Sequence, residues 1–550
     1  MKGKLFILAI AVAVVSCVLA MPEASADYDD YRYVVVDNME YSVNMADSTA
    51  SLISVLYSDG PDLEIPPYIE FDHDDNPDTD PFKANVTSVE MGAVYLEGIT
   101  SVKIGKNLTT IEEDAFSGPD IEQFIDSGDP GSPFFVDDGV LFRIDVSTDL
   151  VRYPAAKAGD SYEVDAMVNS LYGGAFRGCT KLKSINFADN SLITEIPAVT
   201  FMGCTNLEKI NYDATDEYNH LPEKLVLIEN SAFSGCSSLG NIKFPNDLRL
   251  IESEAFMGCG AEKYFLNWNL TYLGTMAFAD CPNLKLFESF SNAIFTGNGQ
   301  FEIGDDGVLY EIIGNVKTLL CYPAGKDDTS YTISEDTNRL AWGAFYGNRH
   351  LKEVTIGSKV NLIEVSAFQK CRSLATVNLT KNVSVIMMGA FEECTSLTTI
   401  NNMEGLTEIG SAAFRCVNIT ELTLPESIRN IGYFAFDESK LTKITIPDVA
   451  VTICSNAFLS CWDLKDIYFE GDRMEFEEGA LNVGTDEENT AEYTVHIIRT
   501  ASIPSVAVDN EYTKLTIDKE GEHPYPYENF IGVAICLFAL FGIVMVIREV

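Results

Sequence analysis

Thiols are the residues whose spacing in this sequence most invites chemistry. Cys179, Cys204, Cys236, Cys259, Cys281, Cys371, Cys394 and Cys461 each follow a phenylalanine or its equivalent by three residues, and Cys416 repeats the feature one residue early. Of 13 cysteines, Cys17 and Cys536 lie in two apolar terminal segments, which leaves eleven, an odd number. Neighbouring copies in such a column would stand within disulfide distance, but stacking suits closure poorly. The reading adopted is a narrow slot that takes a small apolar side chain, with the thiols unpaired. Unpaired thiols outside a cell point to a reducing or anoxic habitat.

The other reactive residue types form no recognisable site. The five histidines, His73, His220, His350, His496 and His523, include no HExxH and no pair at metal spacing. Asp74, Asn76, Asp78 and Asp80 alternate as in a calcium loop, but the sixth position is Thr79 rather than Gly and the twelfth is Asn85 rather than Glu. A solvated loop is expected there. There is no P-loop, no dinucleotide glycine fingerprint and no GxSxG elbow. Carboxylates could supply a glycosidase pair, but no two stand out from the rest. No catalytic, cofactor or metal residue is therefore expected. Asn85, Asn107, Asn269, Asn378, Asn382 and Asn418 begin sequons that permit glycans.

Charge narrows the partners. Lys plus Arg total 37 and Asp plus Glu 83, a net charge of −46 over 550 residues. Such acidity argues against nucleic acid, which needs a basic face, and favours cations and basic partners. With 46% apolar and 11% aromatic residues, the chain can build a large core, and disorder is excluded as its main state.

The two ends set the compartment. Lys2 and Lys4 precede the apolar run Leu5–Val15, and small residues offer signal cleavage after Ala20 or after Ala26. Val14-Val15-Ser16-Cys17 loosely resembles a lipoprotein box that would place a lipid on Cys17. Phe530–Ile547 runs 18 residues without a charge; at ~1.5 Å per residue it would cross a bilayer's hydrocarbon core as a transmembrane helix. Arg548-Glu549-Val550 would remain inside, and no LPxTG-like motif is present. This predicts a single-pass type I protein of the cell membrane. Its ectodomain, stripped of Lys2, Lys4, Glu23, Arg548 and Glu549, would carry a charge near −47.

The elements that must position everything else come from an internal repeat. Ala-Phe recurs with Phe116, Phe176, Phe233, Phe256, Phe278, Phe345, Phe368, Phe391, Phe414, Phe436 and Phe458, and Thr200-Phe201 is a variant. From Phe345 onward the steps are 23, 23, 23, 22 and 22. An aliphatic residue lies five before each ring, from Ile111 and Leu171 to Ile431 and Ile453, and a short alternating strand such as Leu441-x-x-Ile444-x-Ile446 follows. A coil of this length cannot bury a core alone. Stacked coils share one, each strand pairing with those above and below at about 4.8 Å. The phenylalanines and cysteines named here are therefore read as structural anchors in a single internal file.

At these residues the chain resembles the BspA-like family of leucine-rich repeats, whose pattern reads roughly Ile-Gly-x-x-Ala-Phe-x-x-Cys-x-x-Leu-x-x-Ile-x-Ile-Pro. Ile409-Gly410-x-x-Ala413-Phe414 and Ile431-Gly432-x-x-Ala435-Phe436 match it well. The resemblance covers about Ser88–Gly471. It implies a β-rich solenoid of 22–23-residue coils, and a secreted or surface-exposed protein concerned with adhesion or with host or matrix binding.

Two long gaps in the Phe spacing carry a related unit. Asp137-Asp138-Gly139-Val140-Leu141-Phe142 matches Asp305-Asp306-Gly307-Val308-Leu309-Tyr310, and Tyr153-Pro154-Ala155 matches Tyr322-Pro323-Ala324. Asp-Asp-Gly is a turn signal, so each reads as a hairpin insertion. The expected organisation is a signal peptide at 1–26, an N-terminal β cap at 27–87, and a first repeat half at 88–286 with a hairpin near 134–156. A second half follows at 287–471 with a hairpin near 301–325, then a C-terminal cap at 472–520, a stalk at 521–529, the membrane helix at 530–547 and a tail at 548–550. Strands are expected at Tyr31–Val36, Leu63–Ile69, Tyr493–Ile498 and Tyr512–Ile517.

The functional expectation is a membrane-anchored extracellular recognition or adhesion protein that uses the broad solenoid face to bind a protein or glycan, with no cofactor and no enzymatic activity. A laterally assembling envelope component and a carboxylate-based extracellular hydrolase are the alternatives.

Overall fold

The structure, a computed structural model, describes residues 31–72, 80–290, 293–295, 300–484, 489–497, 503–504, 507–508 and 513–518. The expected signal peptide, stalk, membrane helix and tail lie outside the described residues, as does nearly all of the calcium-like loop. No helix among the described residues is long and apolar enough to cross a membrane. The chain divides into two units, one of residues 1–146 with 151–157, the other of residues 147–150 with 158–550.

The first unit begins with alternation. In Met39–Asn44 every second residue is buried, and the strand pairs antiparallel with Tyr31–Val36 and with Thr49–Val55. The first turn is Asp37-Asn38, both left-handed at φ 48° and 67°, the geometry that suits a two-residue hairpin. Phe82–Val89 then pairs parallel with Thr49–Val55 and antiparallel with Tyr68–Phe71.

The expected strand Leu63–Ile69 is two strands, Asp62–Glu64 and Tyr68–Phe71, because Pro66 and Pro67 between them have no N–H to donate. Asp62–Glu64 pairs parallel with Ser101–Lys103, which pairs with Gln123–Ile125, so ladder pairing starts inside the segment expected to be a cap. Phe134–Asp137 and Val140–Ile144 form an antiparallel pair around Asp138-Gly139, both left-handed. Phe116 is buried with its ring edge against Phe124, at 5.1 Å between centroids.

The second unit holds the regular stack. Each coil contributes a short strand before the ring, mostly of two or three residues, and another of two to four residues after it. The first kind pairs parallel and in register through Glu195–Ile196, Leu227–Ile228, Leu250–Ile251 and Tyr272–Leu273, and again from Leu362–Ile363 to Met474–Phe476. The second kind runs from Ser161–Val164 to Lys209–Ile210, from Asn219–His220 to Leu286–Ser289, from Ser330–Thr332 to Thr399–Asn401, and from Glu421–Thr423 through Ala491–Ile497 to Thr513–Asp518. Backbone bonds join the coils at the ring as well: the N–H of Phe368 donates to the Ala390 carbonyl, and that of Phe391 to Ala413.

The rings of this unit stack in two files rather than the single one expected. Phe176, Phe201, Phe233, Phe256 and Phe278 stand 5.0, 4.9, 5.0 and 5.6 Å apart with planes within 13° of parallel. Tyr322 then fills a phenylalanine slot 5.0 Å from Phe345, and Phe368, Phe391, Phe414, Phe436 and Phe458 continue at 4.7 to 5.7 Å. The spacing follows from the strand-to-strand pitch, which brings offset aromatic faces together.

Between the files the chain leaves the stack. Its excursion is larger than a hairpin: Ala293–Phe295, Gln300–Ile303, Leu309–Ile313 and Val316–Cys321 pair antiparallel in sequence, and the last pairs parallel with Arg339–Leu340. The ladder closes across the gap, since the Asp280 N–H donates to the Tyr346 carbonyl at 3.3 Å and Gly325 N–H to Leu284 at 2.8 Å.

One constraint recurs at each of the twelve phenylalanine rungs. The residue two before the ring is left-handed whatever its type: Asp114, Val199, Ser231, Glu254, Met276, Ser366, Ala412, Phe434 and Asn456, with glycine only at 174, 343 and 389. The tight corner that turns Ala-Phe inward imposes it.

Candidate binding surface

The anchors expected from the sequence all lie inside. Phe116, Phe176, Phe201, Phe233, Phe256, Phe278, Phe345, Phe368, Phe391, Phe414, Phe436 and Phe458 are buried, as are Cys179, Cys204, Cys236, Cys259, Cys281, Cys371, Cys394 and Cys461. The eleven described cysteines are free thiols. Their slot does more than accept a small apolar group, because the S–H donates to the ring residue's carbonyl one coil earlier. Cys204 reaches Phe176 O at 3.0 Å, Cys371 reaches Phe345 O at 3.0 Å and Cys461 reaches Phe436 O at 2.9 Å. Cys321, outside the sequence phase, points the same way toward Phe278 O at 3.9 Å. Burial pushes the Cys236, Cys281 and Cys394 thiols well up, and those of Cys321 and Cys461 up to about 12. These groups are protonated donors and poor nucleophiles.

Chemistry gathers instead on the outside of the sheet Asn219–His220, Ile242–Lys243, Lys263–Leu266 and Leu286–Ser289. Strand alternation sends Asn219, Ile242, Tyr264 and Phe287 inward, all buried. The next residues, His220, Lys243, Phe265 and Glu288, are aligned by register into one outward row across four coils.

The sequence signal for this place is the step from Phe201 to Phe233, 32 residues instead of 22 or 23. The surplus forms a loop closed by a bridge between Asp213 and Tyr218. Its own aspartates shape it: Asp213 Oδ1 accepts from the Thr215 N–H at 2.7 Å, and Asp216 Oδ1 from the Tyr218 N–H at 3.2 Å. Buried Asn219 staples the base, accepting from Ile210 N–H at 2.8 Å and donating to Glu208 O at 3.3 Å.

Loop and row meet in an aromatic run. Tyr218 lies edge-on to Phe265 at 6.1 Å, Phe265 edge-on to Phe290 at 4.8 Å, and Trp268 tilts over Phe290 at 5.3 Å. Phe290 is 65% exposed and Trp268 53%. Trp342 and Trp462 are exposed too, but neither shares a ring contact with another aromatic among the described residues.

Charges frame the run in pairs. The Tyr218 hydroxyl donates to Glu288 Oε2 at 2.5 Å, and burial and that carboxylate hold the phenol well above its ordinary value. Lys243 Nζ lies 3.3 Å from Asp216, His220 Nε2 3.1 Å from the same carboxylate, and Lys263 Nζ 3.7 Å from Glu288. Burial works to raise Asp216, but the bonds from His220, Tyr218 N–H and Lys243 outweigh it and leave the carboxyl below its usual range. Hydrogen bonds from Thr215 hold Asp213 low as well.

Asp213, Asp216 and His220 bring three ligand atoms within 4.8 Å of one another, a set that could hold a divalent cation and that motif reading missed. Lys243 already pairs with Asp216 there.

A family model, the BspA type leucine rich repeat region, matches in six copies at residues 71–126, 160–285, 215–304, 324–427 and 389–495. No curated protein matches. Among solved structures, a leucine rich cell surface protein of Faecalibacterium prausnitzii is 21% identical, with 82% of this chain and 97% of that one covered and a TM-score of 0.42. The pneumococcal vaccine antigen PcpA is 20% identical, covering 89% and 99% at a TM-score of 0.40. A leucine-rich repeat protein of Eubacterium ventriosum is 17% identical, covering 82% and 94% at 0.48.

Proposed function

The chain belongs to the BspA type leucine rich repeat family, and from that premise we propose that it is an extracellular recognition protein, held at a cell surface through its apolar C-terminal segment. Its binding surface is the outward face around Phe265. The observation that carries this reading is the continuous run Tyr218–Phe265–Phe290–Trp268, left open to water on a rigid sheet.

The physical reason is differential cost. A stack of coils is held by its internal file, and the outward row contributes little to it, so polar residues would serve the fold equally well there. Phe290 and Trp268, both more than half exposed, and the partly buried Tyr218 and Phe265 leave on the order of 300 Å² of apolar surface in water. Covering it releases on the order of 10 kcal/mol gross, of which association and side-chain ordering consume a large part. Contiguous exposed apolar patches of this kind mark interaction sites. The sheet contributes preorganisation: register fixes the row before the ligand arrives, so little entropy is lost on binding.

The test is adhesion of beads coated with the full chain to intact cells and to immobilised matrix proteins. The double variant Trp268→Ala/Phe290→Ala is expected to lose at least about tenfold in binding, the cost of one well-packed anchor. The control Trp342→Ala/Trp462→Ala, at exposed but solitary rings, is expected to bind as the parent does. Equal behaviour of the two doubles would defeat the assignment.

A further inference from the structure

We infer that the ligand class of this face is carbohydrate, a chain of neutral or N-acetylated pyranose units that stacks on Trp268, Phe290 and Phe265; the inference rests on the recognition reading above and narrows it. Three features of the surface select such a ligand.

The first is the pairing of ring faces with a polar rim. A pyranose presents an apolar C–H face and an equatorial belt of hydroxyls. It is recognised where aromatic faces adjoin groups that donate and accept at the ring's edge. Asp216, His220, Lys243 and Glu288 supply that rim, each side chain about a third exposed: 31%, 33%, 35% and 35%. Each is tied to a partner that fixes its direction, and each keeps a face toward water.

The second is size. The open apolar area, on the order of 300 Å², is less than half of what one partner contributes to a standard protein–protein interface. It suits a short oligosaccharide whose sugars stack on Phe290 and Trp268, 5.3 Å apart, with Phe265 edge-on to Phe290 at their base.

The third is charge. The rim pairs Lys243 with Asp216 and Lys263 with Glu288, and Asp213 adds a further carboxylate. The whole chain carries −46, whose field repels polyanions. Sulfated and uronic acid chains are thereby disfavoured, and uncharged ones are not.

The full chain titrated with cellohexaose, with chitohexaose and with a heparin hexasaccharide tests this, by calorimetry and by tryptophan fluorescence. At least one neutral hexasaccharide is expected to bind at about millimolar Kd or tighter, with binding weakened about tenfold or more in Trp268→Ala and in Phe290→Ala. Both side chains are more than half exposed, so each variant is expected to keep the parent's melting curve. Trp268→Phe, which keeps a stacking face, is expected to restore most of the binding. Failure of both neutral sugars to bind, binding by heparin alone, or neutral binding that survives Trp268→Ala would each overturn the carbohydrate assignment. If no sugar binds while the adhesion of the double variant is still lost, the recognition reading stands and only its ligand class falls.

Discussion

The coils around Phe233–Phe278 and those around Phe368–Phe414 share one interior and differ outside. Both stack rings at about the strand pitch. Both place a thiol on the previous ring residue's carbonyl, Cys259 on Phe233 O at 3.1 Å and Cys394 on Phe368 O at 3.0 Å. The outward positions that hold Lys243, Phe265 and Glu288 in the first set hold Thr355, Asn378 and Asn401 in the second. There the amides form a polar ladder: Asn401 Nδ2 donates to Asn378 Oδ1 at 2.8 Å, and Asn378 Nδ2 to Thr355 Oγ1 at 3.2 Å. The fold accepts either row, which places specificity on the outward residues and stability on the inward ones.

The sharpest way to break this division is to remove an inward ring. Phe391→Ala should cost ~3–5 kcal/mol, since two neighbouring rings keep the cavity open; guanidinium unfolding of the full chain measures it. A loss under about 1 kcal/mol would mean that the file is not what holds the coils.

Next in size is the charge network of the polar half. Arg415 reaches Glu392 at 3.1 Å, Asp437 at 3.0 Å and Glu438 at 2.6 Å. Arg415→Met should cost ~1–3 kcal/mol at neutral pH, because it strands the nearly buried Asp437. Burial already raises the Asp437 carboxyl above its usual value against the pull of Arg415. A raised acid favours the fold while protonated and loses that contribution as pH rises through its folded value. Removing Arg415 raises it further, so the variant's deficit should shrink on acidification toward the carboxylate range. Melting curves of parent and variant across that range check the sign.

A smaller effect of opposite sign is expected at Val199, a β-branched residue at φ 51°. Val199→Gly should relieve strain and stabilise by ~1 kcal/mol, read as a higher denaturation midpoint. The smallest change in stability, within about 1 kcal/mol, is expected for Phe265→Asn, which copies the polar row into the aromatic one. The same variant should lose adhesion, which separates the two roles in a single substitution.

The interior was legible because packing repeats. A ring every 22 or 23 residues, Ile five before and Cys three after are choices that neighbouring coils force on each other, so they leave a phase in the sequence. Tyr322 escaped the Phe pattern but sits 23 residues before Phe345 and carries the same ring. The break between Phe278 and Tyr322 was visible as a gap, although a hairpin was expected where four antiparallel strands stand. Cys321 was not legible, because it reaches the thiol column from the residue before the ring.

Nor was the left-handed corner. Asp, Val, Ser, Glu, Met, Ala, Phe and Asn occupy it as well as Gly, so residue type carries no mark of a conformation that the neighbouring coils impose. Alternation told which residues face outward but not which would meet. Phe265, Trp268 and Phe290 come together through register, and Tyr218 through a loop announced only by a 32-residue step.

That loop has a wider consequence. In a stacked array each coil depends on the two beside it and on little else. Asn211–Tyr218 bulges from one coil; its aspartates shape its tip, while Asn211 holds the Phe187 N–H and Asp216 and Tyr218 reach Lys243 and Glu288 on later coils. An insertion of this kind changes what one coil presents to solvent while the rings beneath keep their stacking.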